Sequence, residues 1–174
     1  MKRGIIIQGS SRSDGDTNKI VSVLKAETNF DVVDLNQKNI GHFDYEFKNR
    51  DDDFIELFKN IVTNYKTIIF VTPIYWYTMS GLMKVFFDRI SDFLTLEKDY
   101  GRQLRGMKMA SVSSSNDNQF YKGFEMPFKN SADYLGMAYK GHLHTWVENE
   151  IVSKEVKNNI NTFVVKQLNK STNK

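Results

Sequence analysis

Short apolar runs alternate with longer amphipathic stretches along the whole chain, and this alternation constrains the fold more than any other feature. The short runs fall at residues 2–8, 30–35, 67–72, 108–113 and 138–147. The third of them, TIIFVT, is continuously apolar, as strands buried on both faces are. Between the runs, apolar residues recur at helical spacing. Ile20, Val21, Val23 and Leu24 lie within 17–28. Phe54, Ile55, Leu57, Phe58, Ile61 and Val62 follow an acidic opening at Asp51, Asp52 and Asp53, which suits the positive end of a helix. Leu82, Met83, Val85, Phe86, Phe87 and Ile90 lie within 79–94. Phe120, Phe124 and Phe128 place a helix over 119–135, where Pro127 implies a break or kink. Val156, Ile160, Phe163, Val164 and Leu168 lie within 153–168. The pattern predicts an α/β domain of three layers, a five-stranded parallel sheet with right-handed crossovers and helices on both faces. In such sheets a ligand sits beyond the carboxyl ends of the strands, where the strand order reverses.

Composition narrows the possibilities. A chain of 174 residues suits one domain with a sizeable core, here taken as residues 1–174 with 169–174 fraying at the end. Cysteine is absent, which excludes disulfides, thiolate-held zinc, cysteine-ligated iron–sulfur clusters and a cysteine nucleophile. Net charge is +3, with basic residues scattered apart from Lys166, Lys170 and Lys174, and no nucleic-acid reading motif is present. No apolar run approaches a membrane span, and the first residues already read as a strand. The expected setting is cytoplasmic, with neither nucleic acid nor membrane as partner.

The chemistry concentrates in three strand-end loops. After the first run comes GSSRSDGDT, residues 9–17, before a helix. A strand feeding a hydroxyl-rich turn and a helix N-terminus presents unpaired N–H groups and a partial positive charge to an anion. Ser10, Ser11, Ser13 and Thr17 add hydroxyls and Arg12 a charged fork. The loop lacks the GK[ST] ending of a P-loop and the G-x-G-x-x-G of dinucleotide folds, and suits a terminal monophosphate better. A polar connection with a Ser or Asp helix cap accounts for the same residues equally well.

After the third run comes Pro73-Ile74-Tyr75-Trp76-Tyr77. Consecutive rings at a strand-to-helix turn cannot all enter the core, so at least one should face the crevice and offer a flat surface. After the fourth come Ser113, Ser114, Ser115, Asn116, Asp117 and Asn118, small and turn-forming. Taken together, the loops describe a ligand with a phosphate at one end, a planar ring at the other and polar atoms along its rim. Flavin mononucleotide (FMN) has that form.

On GSSRSDGDT and TPIYWYTMSGLMKVFFDR the chain resembles the NADPH-dependent FMN reductase family of the flavodoxin-like superfamily. The first segment is similar to that family's phosphate loop. The second is similar to its ring-binding loop and following helix, with the Ser80-Gly81 pair, Lys84 and the Asp88-Arg89 ending. The resemblance implies a flavodoxin-like sheet of order 2-1-3-4-5, bound FMN, and NAD(P)H-dependent reduction of a quinone, free flavin, nitro or azo compound, with NAD(P)H as co-substrate. Ser10, Ser11, Arg12, Asp16, Thr17 and Asn18 would then lie around the phosphate. Pro73, Ile74, Tyr75, Trp76 and Tyr77 would border the ring, and Ser113, Ser114 and Ser115 its polar rim. It also implies a homodimer and ping-pong kinetics, with a small-molecule acceptor as partner and no catalytic side chain, because the flavin carries the chemistry. A flavodoxin-type electron carrier is the alternative, and the net charge of +3 weighs against it.

Asp16 departs from the pattern, since a carboxylate repels a phosphate; it is expected to turn outward, as a helix cap. His142 and His144 share a strand face near Glu148 and Glu150, where a paired surface or core role is preferred to a metal site. Phe43, Tyr45 and Phe47 are expected to cover the sheet edge.

Overall fold

Alternation along each strand decides how the layers assemble. In the computed structural model, which describes residues 4–168, the strands are β1 (Ile5–Gln8), β2 (Asp31–Asp34), β3 (Thr67–Pro73), β4 (Lys108–Ser115) and β5 (Ala138–Trp146). All pair in parallel, in the order β2-β1-β3-β4-β5. Ile5, Ile7, Ile68, Phe70 and Met109 point to one face, and Ile6, Ile69, Val71, Ala110 and Val112 to the other. The first face is covered by α2 (Asp53–Asn64), α3 (Gly81–Leu96) and α5 (Met126–Leu135). The second is covered by α1 (Asp16–Thr28) and α6 (Lys154–Phe163). β3, buried along its whole length, is the central strand its composition predicted. The chain runs outward from β1 to β2, then crosses back to β3, so the order reverses between β1 and β3 and opens a crevice at their carboxyl ends.

The elements differ from the sequence pattern where local chemistry overrides periodicity. Residues 119–125 are irregular rather than helical: Gly123 takes φ +92°, and Pro127 stands in the first turn of α5, where a missing N–H costs nothing. Pro127 therefore starts a helix instead of kinking one. β4 extends two residues beyond the expected end and takes in Ser114 and Ser115. A short helix, α4 (Lys98–Gly101), and a 3-10 turn at Arg102–Leu104 join α3 to β4 in a polar stretch without periodicity. α6 ends at Phe163 and widens into a π turn over Val164–Leu168. The expected start of the first strand at residue 2 and the expected tail at 169–174 lie outside the described residues.

The long connection between β2 and α2 is held by buried charge. Arg89 on α3 is fully buried. Its Nε donates to Asp92 at 2.6 Å, and Nη1 and Nη2 fork onto Asp52. The same nitrogens reach the carbonyls of Gly41 and Asn49, each at 2.9 Å. Asp52 caps α2 by accepting from Phe54 N and also accepts from Gly41 N. Burial alone would push the Asp52 carboxyl up. The Arg89 bonds and the two backbone N–H groups outweigh it, so the group sits below its ordinary range. Arg89→Ala leaves two buried carboxylates without their cation, and is expected to cost about 3–5 kcal/mol. Arg89→Lys should recover little of this, since an ammonium cannot span both acids and both carbonyls. Urea unfolding of the two variants checks both statements.

Candidate functional site

The mouth of the crevice is set by backbone contact between the first and third loops. Gly9 N donates to Val71 O at 2.8 Å, continuing the sheet past β1. A Cβ on Gly9 would lie 3.0 Å from Met83 Cβ and 3.3 Å from its Cα, tighter than ordinary contact, so the missing side chain lets this backbone sit close to α3. Ser80 caps α3 through Met83 N, donates its hydroxyl proton to Gly9 O, and its N–H donates to Thr72 Oγ1. One residue thus ties the helix, the first loop and the end of β3.

Around this clasp lies a cleft of about 230 Å³. Ser10, Arg12, Asp16 and Thr17 border it on one side, Pro73, Ile74 and Tyr75 on the second, and Ser114, Ser115 and Asn116 on the third. The sides are bonded together. Thr17 Oγ1 and Ser114 Oγ are 2.8 Å apart, Ile74 N donates to Ser114 O, and Ser11 Oγ lies 3.3 Å from the Tyr75 hydroxyl. Arg12 and Tyr75, from loops far apart in sequence, face one space. Gly15 holds the N-cap position of α1 and brings no side chain to the helix's first N–H groups, which leaves that end open toward an anion. The expected cap role of Asp16 is therefore taken by Gly15. Asp16 stands in the first turn, half-exposed, and pairs with Lys19 at 2.9 Å.

Other predicted residues lie off the cleft lining. Asn18 donates to Gln8 Oε1 beneath the loop, and Ser11 stands on the rim. Trp76 and Tyr77 occupy a two-residue turn closed by reciprocal Tyr75–Thr78 backbone bonds, with φ +48° and +67°. That turn demands positive φ at both positions and usually recruits Asn-Gly, so two aromatic residues there carry strain. Trp76 is 91% exposed, while Tyr77 meets Tyr121 edge-on at 5.2 Å. Phe43 and Tyr45 pair edge-on with each other, and neither borders the cleft.

Ser113 is fully buried and turned the other way, between His142 Nε2 at 3.1 Å and His144 Nδ1 at 2.8 Å. The histidines are thus spent on β4 serines, and among the described residues no cluster of three His, Asp or Glu side chains could hold a metal ion. The sequence placed His142 and His144 on one strand face in a paired role, and the β4 serines that they bond are what it did not mark. Asn116 lay in the expected third loop without being singled out, and Ser80 was noted only as part of the Ser80-Gly81 pair, not as the clasp on Gly9.

Three comparisons place this geometry. Residues 2–150 match the model of the NADPH-dependent FMN reductase family. The chain belongs to that family. YwqN of Bacillus subtilis (strain 168), provisionally named an NAD(P)H-dependent FMN-containing oxidoreductase, is 29% identical over 150 residues, covering 79% of this chain and 81% of its own length. The Trp repressor binding protein of Bacillus subtilis superposes with a TM-score of 0.74 at 21% identity, over 93% of this chain and 97% of that one. General stress protein 14 of Treponema denticola, solved in complex with FMN, gives 0.63 at 18% identity, over 95% and 97%. These two share the flavodoxin-like fold with this FMN reductase family member.

Burial and then the neighbouring His144 push the His142 imidazole down to about 4 from its ordinary 6.5. Between these values the unfolded chain binds the proton and the folded one does not. Stability is therefore fully present above about pH 6.5 and is lost as pH falls toward 4. Thermal melts across this window should rise with pH more steeply for the native protein than for His142→Gln.

Proposed function

We propose that the cleft holds FMN and that the protein oxidises NAD(P)H and reduces a small acceptor, a quinone, free flavin, nitro or azo compound. The observation that carries this is the meeting of Arg12 and Tyr75 in one cleft, stitched by the Ser11–Tyr75 contact at 3.3 Å.

The donors present fit the group. Ser10, Arg12, Thr17 and the open N–H end of α1 suit a phosphate, with Ser11, Asp16 and Asn18 around them. Lys19 offsets the Asp16 carboxylate there. Pro73, Ile74 and Tyr75 offer a flat edge for a ring, and the exposed Trp76 and Tyr77 extend it outward. Ser114, Ser115 and Asn116 supply polar atoms at the rim, while Ser113 supports them from β4. The cleft, about 230 Å³, is smaller than the roughly 300–1,000 Å³ usual for ligand sites. FMN held there would have its phosphate end enclosed and its ring left accessible to a second reactant.

FMN, when bound, supplies the hydride chemistry, so no side chain need act as acid, base or nucleophile. The protein's own part is to hold the phosphate, to keep one ring face open, and to direct N–H dipoles of the 75–77 and 114–116 segments at the ring's polar edge. NAD(P)H and the acceptor then use the same open face in turn, which gives ping-pong kinetics. The same reading carries a homodimer and a cytoplasmic setting where NAD(P)H is supplied. Among the described residues no helix is long and apolar enough to cross a membrane.

Titration with FMN should quench flavin fluorescence, and NADPH or NADH alone should then bleach the bound flavin. Bound flavin that neither nucleotide bleaches would mark an electron carrier instead. Arg12→Ala removes a charged hydrogen-bond donor, worth about 1.5–3 kcal/mol, and should weaken FMN binding roughly 10- to 100-fold. Initial-rate lines for NAD(P)H against a benzoquinone should run parallel, and intersecting lines would contradict the two-step exchange.

A further inference from the structure

We propose that Tyr139, Ser111, His142, Ser113 and His144 form a one-way hydrogen-bonded chain that fixes both imidazoles as neutral Nε2–H tautomers. His144, at the end of this chain, is then a positioning residue for the cleft wall made by Ser115 and Asn116.

The chain is a product of strand geometry. Ser111, Ser113 and Ser115 are alternate residues of β4 and share a face. In β5, His142 stands opposite Ser111 and His144 opposite Ser113. A register irregularity between Met109 and Ser111, with Gly141 at φ +99°, lets Tyr139 reach the same row although it lies three residues before His142. The successive contacts are Tyr139 Oη–Ser111 Oγ 2.9 Å, Ser111 Oγ–His142 Nδ1 3.0 Å, His142 Nε2–Ser113 Oγ 3.1 Å and Ser113 Oγ–His144 Nδ1 2.8 Å. The last contact, His144 Nε2 to Asp117 O, is 3.1 Å.

That last contact sets the direction. A carbonyl only accepts, and the Ser115 hydroxyl already gives its one proton to Asp117 O at 2.7 Å. His144 Nε2 therefore carries hydrogen. In the neutral ring Nδ1 then accepts from Ser113, whose oxygen in turn accepts from His142 Nε2–H. His142 Nδ1 accepts from Ser111, whose oxygen accepts from Tyr139. Each donor is used once. The opposite direction would set the Nε2 lone pair of a neutral His144 against a carbonyl 3.1 Å away. Tyr139 Oη also lies 3.5 Å from Glu125 Oε2, the longer of its two contacts, and its one proton goes to the nearer Ser111. Phe124 lies 5.2 Å from the His142 ring and Trp146 stacks on His144 at 6.2 Å, so both rings are held in place. The depressed His142 titration agrees with a neutral chain.

The consequence for the cleft runs through Asp117. Residues 116–125 contain no helix or strand, and Ser115 and Asn116 border the cleft at the start of that stretch. Asp117 O receives both the Ser115 hydroxyl and His144 Nε2–H, and Asp117 N returns a bond to Ser115 Oγ. His144 thus pins the turn that presents Ser115 and Asn116. Its effect on a ligand rests on reading the cleft as an FMN site.

The test begins with ring-nitrogen NMR of the ¹⁵N-histidine-labelled full chain at neutral pH without flavin. Both histidines should show protonated Nε2 and bare Nδ1. A bare Nε2 or a charged ring at His144 overturns the assignment. Ser113→Ala cuts the chain between the rings: His144 should keep the Nε2–H that Asp117 O fixes, His142 should lose its single tautomer, and amide exchange at residues 116–119 should speed up roughly tenfold, the loss expected for one hydrogen bond. Tyr139→Phe lies at the far end and should change neither reading; an equal effect in both variants overturns the one-way direction. FMN should bind roughly 5- to 10-fold more weakly to Ser113→Ala and His144→Phe. His144→Gln, whose amide can donate to Asp117 O, should restore affinity to within about twofold. Equal weakening in the Gln and Phe variants overturns the positioning role. If the native protein fails to take up FMN, the cleft assignment falls, and the tautomers and exchange rates still decide this one.

Discussion

One hydroxyl group decides where the cleft lies. Ser80 starts α3, and the same oxygen that caps the helix gives its proton to the carbonyl of Gly9. Without that bond the first loop would be joined to β3 and the loop after it through the Gly9 N–Val71 O sheet bond and the exposed Ser11–Tyr75 contact. With it, the end of β1, the end of β3 and the start of α3 become one rigid corner. Gly9 completes the corner by having no side chain to hold α3 away. The parallel sheet creates a crevice at the order reversal in any chain of this topology. The clasp turns that crevice into a cleft of fixed width.

A second constraint works at a distance. The connection from residue 38 to residue 52 is mostly polar: Ile40 packs on the core, while Phe43 pairs with the exposed Tyr45. Arg89 substitutes for a hydrophobic anchor by satisfying two carbonyls of that connection and the Asp52 carboxylate at once. Such a cluster is specific rather than strongly stabilising, because desolvating the charges offsets much of their attraction. Phe54 lies beneath the guanidinium at 5.1 Å and closes the cluster from water.

The fold was legible in the sequence because burial on two faces writes itself as continuous apolar runs, and TIIFVT could hardly be anything else. The helices at 17–28, 51–64 and 79–94 were legible for the complementary reason, one apolar face each. The stretch 119–125 misled because its phenylalanines fall at helical spacing while Gly123 and Pro127 fix the backbone otherwise. The first and third loops announced themselves through residue types that suit a phosphate and a ring. Which of those residues turn inward was not legible. Side chains alternate between faces along a strand, so once β4 runs on through Ser115, Ser113 falls in the serine–histidine row and Ser114 on the opposite face, at the cleft. Likewise Trp76 and Tyr77 point outward because the two-residue turn takes left-handed backbone at both positions, a choice that hydrogen bonding makes and composition does not reveal.

That outward turn has an optical consequence. The chain has two tryptophans, and Trp146 is partly shielded by its stack on His144. Trp76, almost wholly in water, should dominate the red edge of the protein's intrinsic emission. Whatever covers this outward turn will strip water from that indole, so the emission reports what docks beside the cleft rather than what fills it.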